Sequence, residues 1–463
     1  MFLFGDSLRK RESFPITLLL GVSVVLRIGL ALVIWKIQGP AGFVTSDSLE
    51  YLAAARSLLH GSFSSLTGPE ILRTPGYPLI LMPVVLFQRF EIFALLENFL
   101  LASFSVWLVW KITLRVIGNS HAALWAALLF SFEPLQMESS ELVMTETLFC
   151  ALLLVFVWFL VSFLELPSWQ NLLGAALPLS LAVYTRPVAL YLPIWLLPLL
   201  LFFPATLSRR QRVARAIAFP VVVAAALVPW VVRNDLVARY RGFSTVADDY
   251  IYSFCAAAIE AKVENKPFSQ VMTDRGAEDE NVYFQLHPEQ RNWSQQRVFD
   301  FRRKDALQII SRHPWYFLYF QIKGWLSVTF NPSAAQALKL IGLYPQHSAL
   351  LDTESDKGFL HAFLWLVSRS PATAVIVVLL ELQLLIYYFL TLWGFRSLPG
   401  NVGLLFFSLA LYFIFVSGSP PTESRYRMPV MPLVCISAGI AMSKLQDNGW
   451  KIAGSHKNSK VLA

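Results

Sequence analysis

Residues 146–164, ETLFCALLLVFVWFLVSFL, begin with one charged residue, Glu146, and continue as an almost uninterrupted apolar run. A bilayer crossing needs roughly 20 mostly apolar residues in a helix, because every backbone polar group must bond within its own segment there. Comparable stretches, some of them shorter, occur at 15–36, 92–117, 121–137, 171–185, 187–204, 213–232, 373–394, 402–418 and 428–443. The sequence therefore predicts an all-α polytopic membrane protein, a helical bundle with about 10–11 transmembrane helices.

The composition of the whole chain agrees with a membrane protein. Of its 463 residues 56% are hydrophobic and 15% are charged, and the mean hydropathy is +0.54. A water-soluble fold cannot hide so much apolar surface. The net charge of +8 does not predict a nucleic-acid partner, because the basic residues lie beside apolar runs and form no basic stripe. Three scattered cysteines, Cys150, Cys255 and Cys435, predict neither a disulfide framework nor a zinc site.

Lysine and arginine near the ends of the apolar runs predict the orientation of the chain. With a cytoplasmic N-terminus, the inner segments hold fourteen of them: Arg9, Lys10, Arg11, Lys111, Arg115, Arg209, Arg210, Arg212, Arg215, Arg396, Lys444, Lys451, Lys457 and Lys460. We then expect 1–463 to be one integral membrane domain of the cytoplasmic (inner) membrane, with 444–463 as a cytoplasmic tail. Residues 37–91 form a first extracytoplasmic loop, and residues 233–372 form a large extracytoplasmic loop or cap.

Residues 235–312 carry 11 basic and 12 acidic side chains, which is typical of a solvated, folded cap. The following stretch, 313–330, is apolar but rich in aromatic residues and interrupted by Lys323 and Gly324. We interpret it as an interfacial or re-entrant helix, because a true crossing would place the lysine-bearing C-terminus outside.

The first outer loop contains a short amphipathic helix at 44–61, VTSDSLEYLAAARSLLHG. Ser46 and Asp47 are its N-cap candidates, with Glu50 placed as in a capping box. Asp47 and Tyr51 are four residues apart and share one helix face. Asp47 is therefore either a cap alone or a carboxylate presented to the site.

Further charged and aromatic residues interrupt apolar sequence on the predicted outer side: Glu146, Arg73 and Tyr77 in LRTPGYPL (72–79), Arg186 in YTRP (184–187), and Arg425, Tyr426 and Arg427 in TESRYRMPVMP (422–432). The bland interpretations are a snorkelling Arg73 and a solvated interfacial Glu146. Yet arginines concentrated on the side opposite to the positive-inside preference need an explanation, and an anionic lipid headgroup supplies it.

Five short motifs on one predicted membrane side resemble the C-type glycosyltransferase (GT-C) superfamily, in particular its protein mannosyltransferase and lipid A aminoarabinose transferase branch. They are D-x-x-x-Y-x-x-x-A at Asp47, Tyr51 and Ala55, R-x-P-G-Y-P at 73–78, T-E-T-L-F at 145–149, T-R-P at 185–187, and R-Y-R-x-P at 425–429. The resemblance spans the chain from Asp47 to Pro432.

The resemblance implies a GT-C helical bundle with amphipathic helices in the first outer loop, an extracytoplasmic active site and a polyprenyl-phosphate sugar donor. It implies that Asp47 is a catalytic base or positions the acceptor, and that Glu146 is a second acid where relatives usually have aspartate. Arg73 stands where the aminoarabinose transferases have a lysine, which suggests donor phosphate binding. The single acid of the first loop departs from the acidic pair of protein mannosyltransferases.

We therefore expect an inverting glycosyltransferase with a glycolipid, polysaccharide or protein as acceptor. Asp47 and Glu146 are the expected catalytic residues, and Tyr51, Arg73, Tyr77, Arg186, Arg425, Tyr426 and Arg427 the expected substrate-binding ones. A divalent metal between Asp47 and Glu146 stays open, although no His or Cys spacing argues for one. The alternatives are a polysaccharide polymerase or ligase outside the GT-C group that uses an undecaprenyl-linked donor, and a membrane transporter or lipid flippase.

Overall fold

The computed structural model describes residues 3–65, 68–277, 279–344, 359–420 and 422–458 of the chain. Within these ranges the regular elements are helices, and the β pairing found is an isolated antiparallel bridge between Ser64 and Pro69. The predicted all-α class is therefore confirmed.

The N-terminal part holds the first outer loop between long helices. Its α-helices are α1 (Leu3–Gln38), α2 (Ser46–Leu59), α3 (Gly76–Leu81), α4 (Phe90–Ile117), α5 (Ser120–Ser131), α6 (Pro134–Ser140), α7 (Glu146–Glu165), α8 (Trp169–Thr185), α9 (Leu192–Trp195), α10 (Leu197–Phe202) and α11 (Arg209–Ala238).

The cap between α11 and the C-terminal helices consists of shorter helices. They are α12 (Val246–Tyr250), a π-helix (Ile251–Ala256), α13 (Ala257–Glu264), α14 (Phe268–Asp274), α15 (Glu280–Leu286), α16 (Gln295–Arg312), α17 (Pro314–Phe330) and α18 (Ala334–Leu340). The chain ends with α19 (Phe359–Arg369), α20 (Pro371–Phe395), α21 (Gly400–Val416) and α22 (Met431–Asn458). The predicted tail thus begins as a continuation of α22, and residues 459–463 lie outside the described part.

Five of the described helical segments are long and apolar enough to cross a membrane: Pro15–Phe43, Phe90–Ile117, Glu146–Glu165, Arg209–Ala238 and Pro371–Phe395. Three shorter apolar helical segments are Ser120–Ser131, Pro187–Phe202 and Gly400–Val416. Large apolar side chains point out of the bundle, among them Leu32, Leu100 and Leu392, which are 65%, 73% and 71% exposed. A bilayer is the solvent that such outward-facing residues require.

Two of the predicted crossings are not continuous helices. The stretch 121–137 divides because α5 ends at Ser131 and Glu133 caps the start of α6 at Pro134. A residue before proline avoids the helical region, so the chain turns there. The stretch 187–204 divides into a 3-10 turn, α9 and α10, since prolines recur at 187, 193 and 198 and remove backbone donors.

The bundle core is built on close contacts between helices. Where α20 meets α22, a Cβ atom added at Gly394 would stand 1.8 Å from the carbonyl oxygen of Ser437. Such small residues allow two helix backbones to approach, which is how helices associate when both faces are apolar. A second apolar cluster, which includes Tyr51, Leu52, Tyr77 and Leu148, packs α2 and α3 of the first loop onto α4 and α7. The first loop is therefore fixed on the end of the bundle.

The segment interpreted as interfacial forms the helix α17, which is largely exposed. Trp315 and Leu326 are 79% and 55% exposed, whereas Gly324 and Val328 are buried. One side of α17 thus packs against the protein and the other presents aromatic and apolar groups to the surroundings, as an interfacial helix does. Whether α17 crosses the bilayer stays a prediction.

Candidate active site

Asp47 lies in the first turn of α2, but the N-cap prediction was wrong. Thr45 is the cap: its side chain accepts a hydrogen bond from the Ser48 backbone N–H, and the Ser48 hydroxyl oxygen accepts one from the Thr45 N–H at 2.9 Å. This reciprocal pair is a capping box built one register earlier than Ser46 or Asp47 would build it. The Asp47 carboxylate is therefore free of the helix backbone and points to other segments.

Arg73 is the first partner of Asp47. Its Nη2 donates to Asp47 Oδ1 at 2.8 Å, its Nε donates to Glu50 Oε2 at 2.6 Å, and its Nη1 donates to the Tyr51 hydroxyl at 3.3 Å. The backbone of Arg73 is held in turn by the Glu70 carboxylate, which accepts from the Leu72 and Arg73 N–H groups at 2.8 Å each. Arg73 thus joins three side chains of one face of α2.

The motif around Tyr77 brings the first loop against α8. Tyr77 is 1% exposed and its ring meets that of Tyr51 edge-on, at 5.3 Å between ring centres. A Cβ atom at Gly76 would stand 2.6 Å from the Tyr184 carbonyl, so only glycine permits this approach. Because Tyr184 is two residues before Arg186, the contact sets the first loop beside the T-R-P motif. Tyr77 therefore supports Tyr51 from beneath.

Arg186 and Glu146 form the deepest ion pair of the site. Arg186 caps the C-terminus of α8, and its Nη1 donates to Glu146 Oε1 at 2.5 Å and to the Thr145 hydroxyl at 3.3 Å. Glu146 begins α7, and its side chain is 3% exposed. A carboxylate so deeply buried needs a charged partner, and Arg186 supplies it.

Arg425 connects the two acids. Its Nη1 and Nη2 each lie 3.2 Å from Asp47 Oδ2, and its Nη1 lies 3.7 Å from Glu146 Oε1. Its Nε lies 2.5 Å from a carboxylate oxygen of Glu423. The Tyr426 ring lies 5.9 Å from the Arg186 guanidinium and 5.8 Å from that of Arg425, at cation–π range of both. Five separate segments therefore meet at one cluster.

Arg427 lies outside this cluster, which corrects its expected place among the substrate-binding residues. It is 2% exposed, and its Nη1 donates to the carbonyl oxygens of Val328, Thr329 and Asn331 at 2.7, 3.1 and 2.9 Å. These are the unpaired carbonyls at the C-terminus of α17, where a cation is favourable. Arg427 therefore holds α17 against the 422–427 segment.

The Arg427→Met variant is expected to lower stability with little effect on phosphate binding per folded molecule. It leaves three buried carbonyls without their donor, at a cost of about 1–3 kcal/mol. Thermal unfolding in detergent should show a lower Tm than the wild type, while the folded fraction keeps its affinity for polyprenyl monophosphate. An unchanged Tm together with lost phosphate affinity would return Arg427 to the site.

The charges of the cluster shift one another. Burial tends to raise the pKa of Asp47, but Arg73 and Arg425 outweigh it and hold the pKa below its usual value of 3.8. Burial tends to lower the pKa of Arg425, but the surrounding carboxylates, Glu146 first, raise it above its usual value. All these groups are ionised at neutral pH. Three guanidinium groups thus face four carboxylates, those of Asp47, Glu50, Glu146 and Glu423.

Two residues of the cluster were not predicted as part of the site. Glu50 was interpreted as a capping residue and Glu423 was not singled out, yet each holds one arginine. Glu423 could have been found from its position two residues before Arg425. Glu138 lies nearby and accepts a hydrogen bond from Ser333 at 2.8 Å; its burial raises its pKa to about 8.

A divalent metal between Asp47 and Glu146 does not fit this arrangement. Both oxygens of Asp47 and Oε1 of Glu146 are taken by guanidinium groups. Among the described residues, no group of three or more His, Cys, Asp or Glu side chains could hold a metal ion. A cation placed here would have to displace Arg425, so no step is assigned to a metal.

Part of the chain matches a known family. Residues 75–232 match the family model of the dolichyl-phosphate-mannose-protein mannosyltransferases. The predicted resemblance to the C-type glycosyltransferases is thereby confirmed over this range. It includes Tyr77, Glu146 and Arg186, and it is about a third of the chain, without Asp47, Arg73 or Arg425. The comparison with curated proteins finds no match.

Solved structures of similar architecture include two membrane enzymes. ArnT from Cupriavidus metallidurans bound to undecaprenyl phosphate is 14% identical, with a TM-score of 0.45 over 92% of this chain and 61% of the other. The archaeal oligosaccharyltransferase AglB from Archaeoglobus fulgidus, in complex with an inhibitory peptide and a dolichol-phosphate, is 12% identical, with a TM-score of 0.47 over 94% and 52%. The chain therefore spans between half and three fifths of the length of these proteins, and similarity at this level does not extend to activity.

Proposed function

We propose that this protein is an inverting glycosyltransferase that moves a sugar from a polyprenyl-phosphate donor to an acceptor hydroxyl on the extracytoplasmic side of the cytoplasmic membrane. The observation that carries the proposal is the convergence of Asp47 with Arg73 and Arg425, and of Glu146 with Arg186 and Arg425. These residues come from distant parts of the chain. A glycolipid, a polysaccharide or a protein would be the acceptor.

The arginines suit the phosphate of the donor. Guanidinium groups bind phosphate oxygens in pairs, and such bonds strengthen in a cleft that excludes water. A polyprenyl-phosphate sugar is a phosphodiester with one negative charge, and its phosphate gains a second negative charge when the sugar leaves. Cations fixed around the phosphate therefore stabilise the departing group more than the bound donor. The family name of the matched region, which contains dolichyl phosphate, supports a donor of this class.

Asp47 suits the acceptor. In the transfer step a bond forms between the acceptor oxygen and the anomeric carbon, and the bond from that carbon to the phosphate oxygen breaks. Asp47 takes the hydroxyl proton, or orients that hydroxyl, as a carboxylate base can. Attack from the side opposite the phosphate inverts the anomeric centre. Glu146, paired with Arg186, keeps Arg186 and Arg425 in place rather than reacting itself.

The resting cluster holds Asp47 in a weakly basic state. Its two arginine partners lower its pKa, and an arriving phosphate competes with Asp47 for the same guanidinium groups. When the phosphate takes these groups, the pKa of Asp47 rises and the carboxylate becomes a better base. Binding of the donor thus prepares the base for the acceptor.

The pH dependence of turnover should show this coupling. Transfer needs ionised Asp47, so the rate falls as the pH drops through its pKa. In kcat/KM, which reports the free enzyme, the acid limb should lie below pH 3.8, because the arginines lower this pKa. In kcat, which reports the donor complex, the limb should lie at higher pH. Limbs in the reverse order would contradict the exchange of partners.

A transfer assay separates this proposal from transport. The purified protein is incubated with a radiolabelled polyprenyl-phosphate sugar and a membrane extract, with and without reconstitution into sealed vesicles. The proposal predicts a new labelled glycoconjugate and free polyprenyl phosphate in both preparations. Movement of intact donor across sealed vesicles without bond cleavage would instead indicate a carrier.

A further inference from the structure

The two arginines that hold Asp47 lie on separate segments, which we name the arms. The first arm is residues 70–73, which end in Arg73. The second arm runs from Ser419 to Arg425, with residue 421 outside the described part. In the resting site Asp47 bonds to both arginines and thereby joins the arms. Once a phosphate displaces Asp47, the distance between the two guanidinium groups depends on what else connects the arms.

The base of the cap holds the first arm. The Thr245 backbone N–H donates to the carbonyl of Ile71 at 3.1 Å, and the Ser244 hydroxyl donates to the carbonyl of Leu72 at 2.6 Å. These two carbonyls directly precede Arg73 in the chain. Residues 244–245 therefore fix the backbone from which the Arg73 side chain extends.

The same segment of the cap reaches the second arm a few residues later. The hydroxyl of Tyr250, at the end of α12, donates to the carbonyl of Ser419. The Tyr250 side chain also lies close enough to Glu423 and Tyr426 for their charges to affect it. Residues 244–250 thus contact the backbone of both arms.

The segment between these contacts is itself anchored. Asp248 receives two hydrogen bonds of 2.6 Å from the Arg303 guanidinium and one of 3.3 Å from the Tyr240 hydroxyl. Its neighbour Asp249 pairs with Arg302 at 3.4 Å. The π-helix Ile251–Ala256 follows directly, an element that often marks functional positions in a helix. The segment is therefore rigid enough to fix a distance.

We propose that residues 244–250 form a positioning bridge that sets the separation of Arg73 and Arg425 for the donor phosphate, with Tyr250 as the residue that closes it. This inference rests on the proposed function for its consequence. The bridge keeps the two guanidinium groups at phosphate-binding distance after Asp47 has released them. Tyr250 is a positioning residue, since its hydroxyl contacts the backbone of the second arm and not the substrate.

The experiment compares Tyr250→Phe with Tyr252→Phe. Both variants remove one hydroxyl from neighbouring tyrosines, but the Tyr252 hydroxyl donates to the Arg275 carbonyl within the cap, at 3.2 Å. Each protein is placed in nanodiscs, and three quantities are measured: the Kd for undecaprenyl monophosphate, the donor KM and kcat, and hydrogen exchange of peptides from both arms.

For Tyr250→Phe we expect the Kd and the donor KM to rise about 2- to 10-fold, the effect of one lost hydrogen bond, with kcat changed much less. Exchange should increase in peptides covering the second arm. Tyr252→Phe should match the wild type in all three. A Tyr250→Phe protein that behaves like Tyr252→Phe would overturn the bridge, and so would raised exchange with an unchanged Kd.

Failure of the proposed function gives a different result. If the wild type transfers no sugar but binds undecaprenyl monophosphate, the proposed function fails, while the Kd and exchange measurements still decide on the bridge. If transfer occurs and Tyr250→Phe has no effect on Kd or exchange, the bridge fails and the proposed function stands.

Discussion

The Asp47→Asn variant is expected to lose about 100- to 10,000-fold in kcat, the range for removal of a general base. Asparagine keeps the size of the side chain and one oxygen for Arg73, but it cannot take the acceptor proton. Arg73 and Arg425 also lose the negative charge they share. Single-turnover transfer from a radiolabelled donor measures the loss directly, and expression and Tm report whether the protein is folded.

The matched control is Asp274→Asn in the cap. The Asp274 side chain is 52% exposed and lies 3.8 Å from Lys266, far in sequence from any residue of the cluster. It should transfer sugar at the wild-type rate. Near-normal turnover in Asp47→Asn would remove Asp47 from the mechanism, whatever the control shows.

The Arg425→Ala variant is expected to lose about 100- to 1000-fold in kcat/KM, the effect of removing one preorganised donor from a developing negative charge. Arg425 is the residue that contacts both acids, so its loss leaves Asp47 with Arg73 and Glu146 with Arg186 as two separate pairs. Steady-state kinetics over a range of donor concentrations should show a higher KM and a lower kcat.

Added guanidinium ion tests whether this loss is chemical. The alanine variant leaves space for a free guanidinium between Asp47 and the phosphate, so millimolar guanidinium chloride should restore part of the activity. Arg241→Ala, which removes an 81% exposed cap arginine, should keep full activity and should not respond to the ion. Arg425→Ala with wild-type kcat/KM would exclude Arg425 from the phosphate site.

The fold was predictable where one physical demand dominates. Uninterrupted apolar runs such as 146–164 specify a membrane helix by length alone, and α7 begins and ends within a residue of the prediction. The breaks at Pro134 and in 187–204 were missed because hydropathy counts proline as an interruption of polarity only, not of geometry. The arrangement of the cap was beyond sequence reasoning, since it depends on long-range ion pairs such as that of Asp248 and Arg303.

The site was predictable to the extent that charges in apolar sequence need partners. Asp47, Glu146 and three arginines were singled out for this reason, and the structure brings them together; their roles in catalysis stay predictions. Arg427 could not be separated from Arg425 by sequence, because the short 3-10 helix of residues 424–427 turns one toward the acids and the other toward α17. Glu50 went unrecognised because its spacing also suits a capping box.

The central claim is that Asp47 and the donor phosphate share the same arginines, and binding of undecaprenyl monophosphate in nanodiscs tests it most directly. If the claim holds, Asp47→Asn binds this lipid more tightly than the wild type, because a competing carboxylate is gone, while Arg425→Ala binds it more weakly. Weaker binding in Asp47→Asn, or unchanged binding in Arg425→Ala, would contradict a shared site.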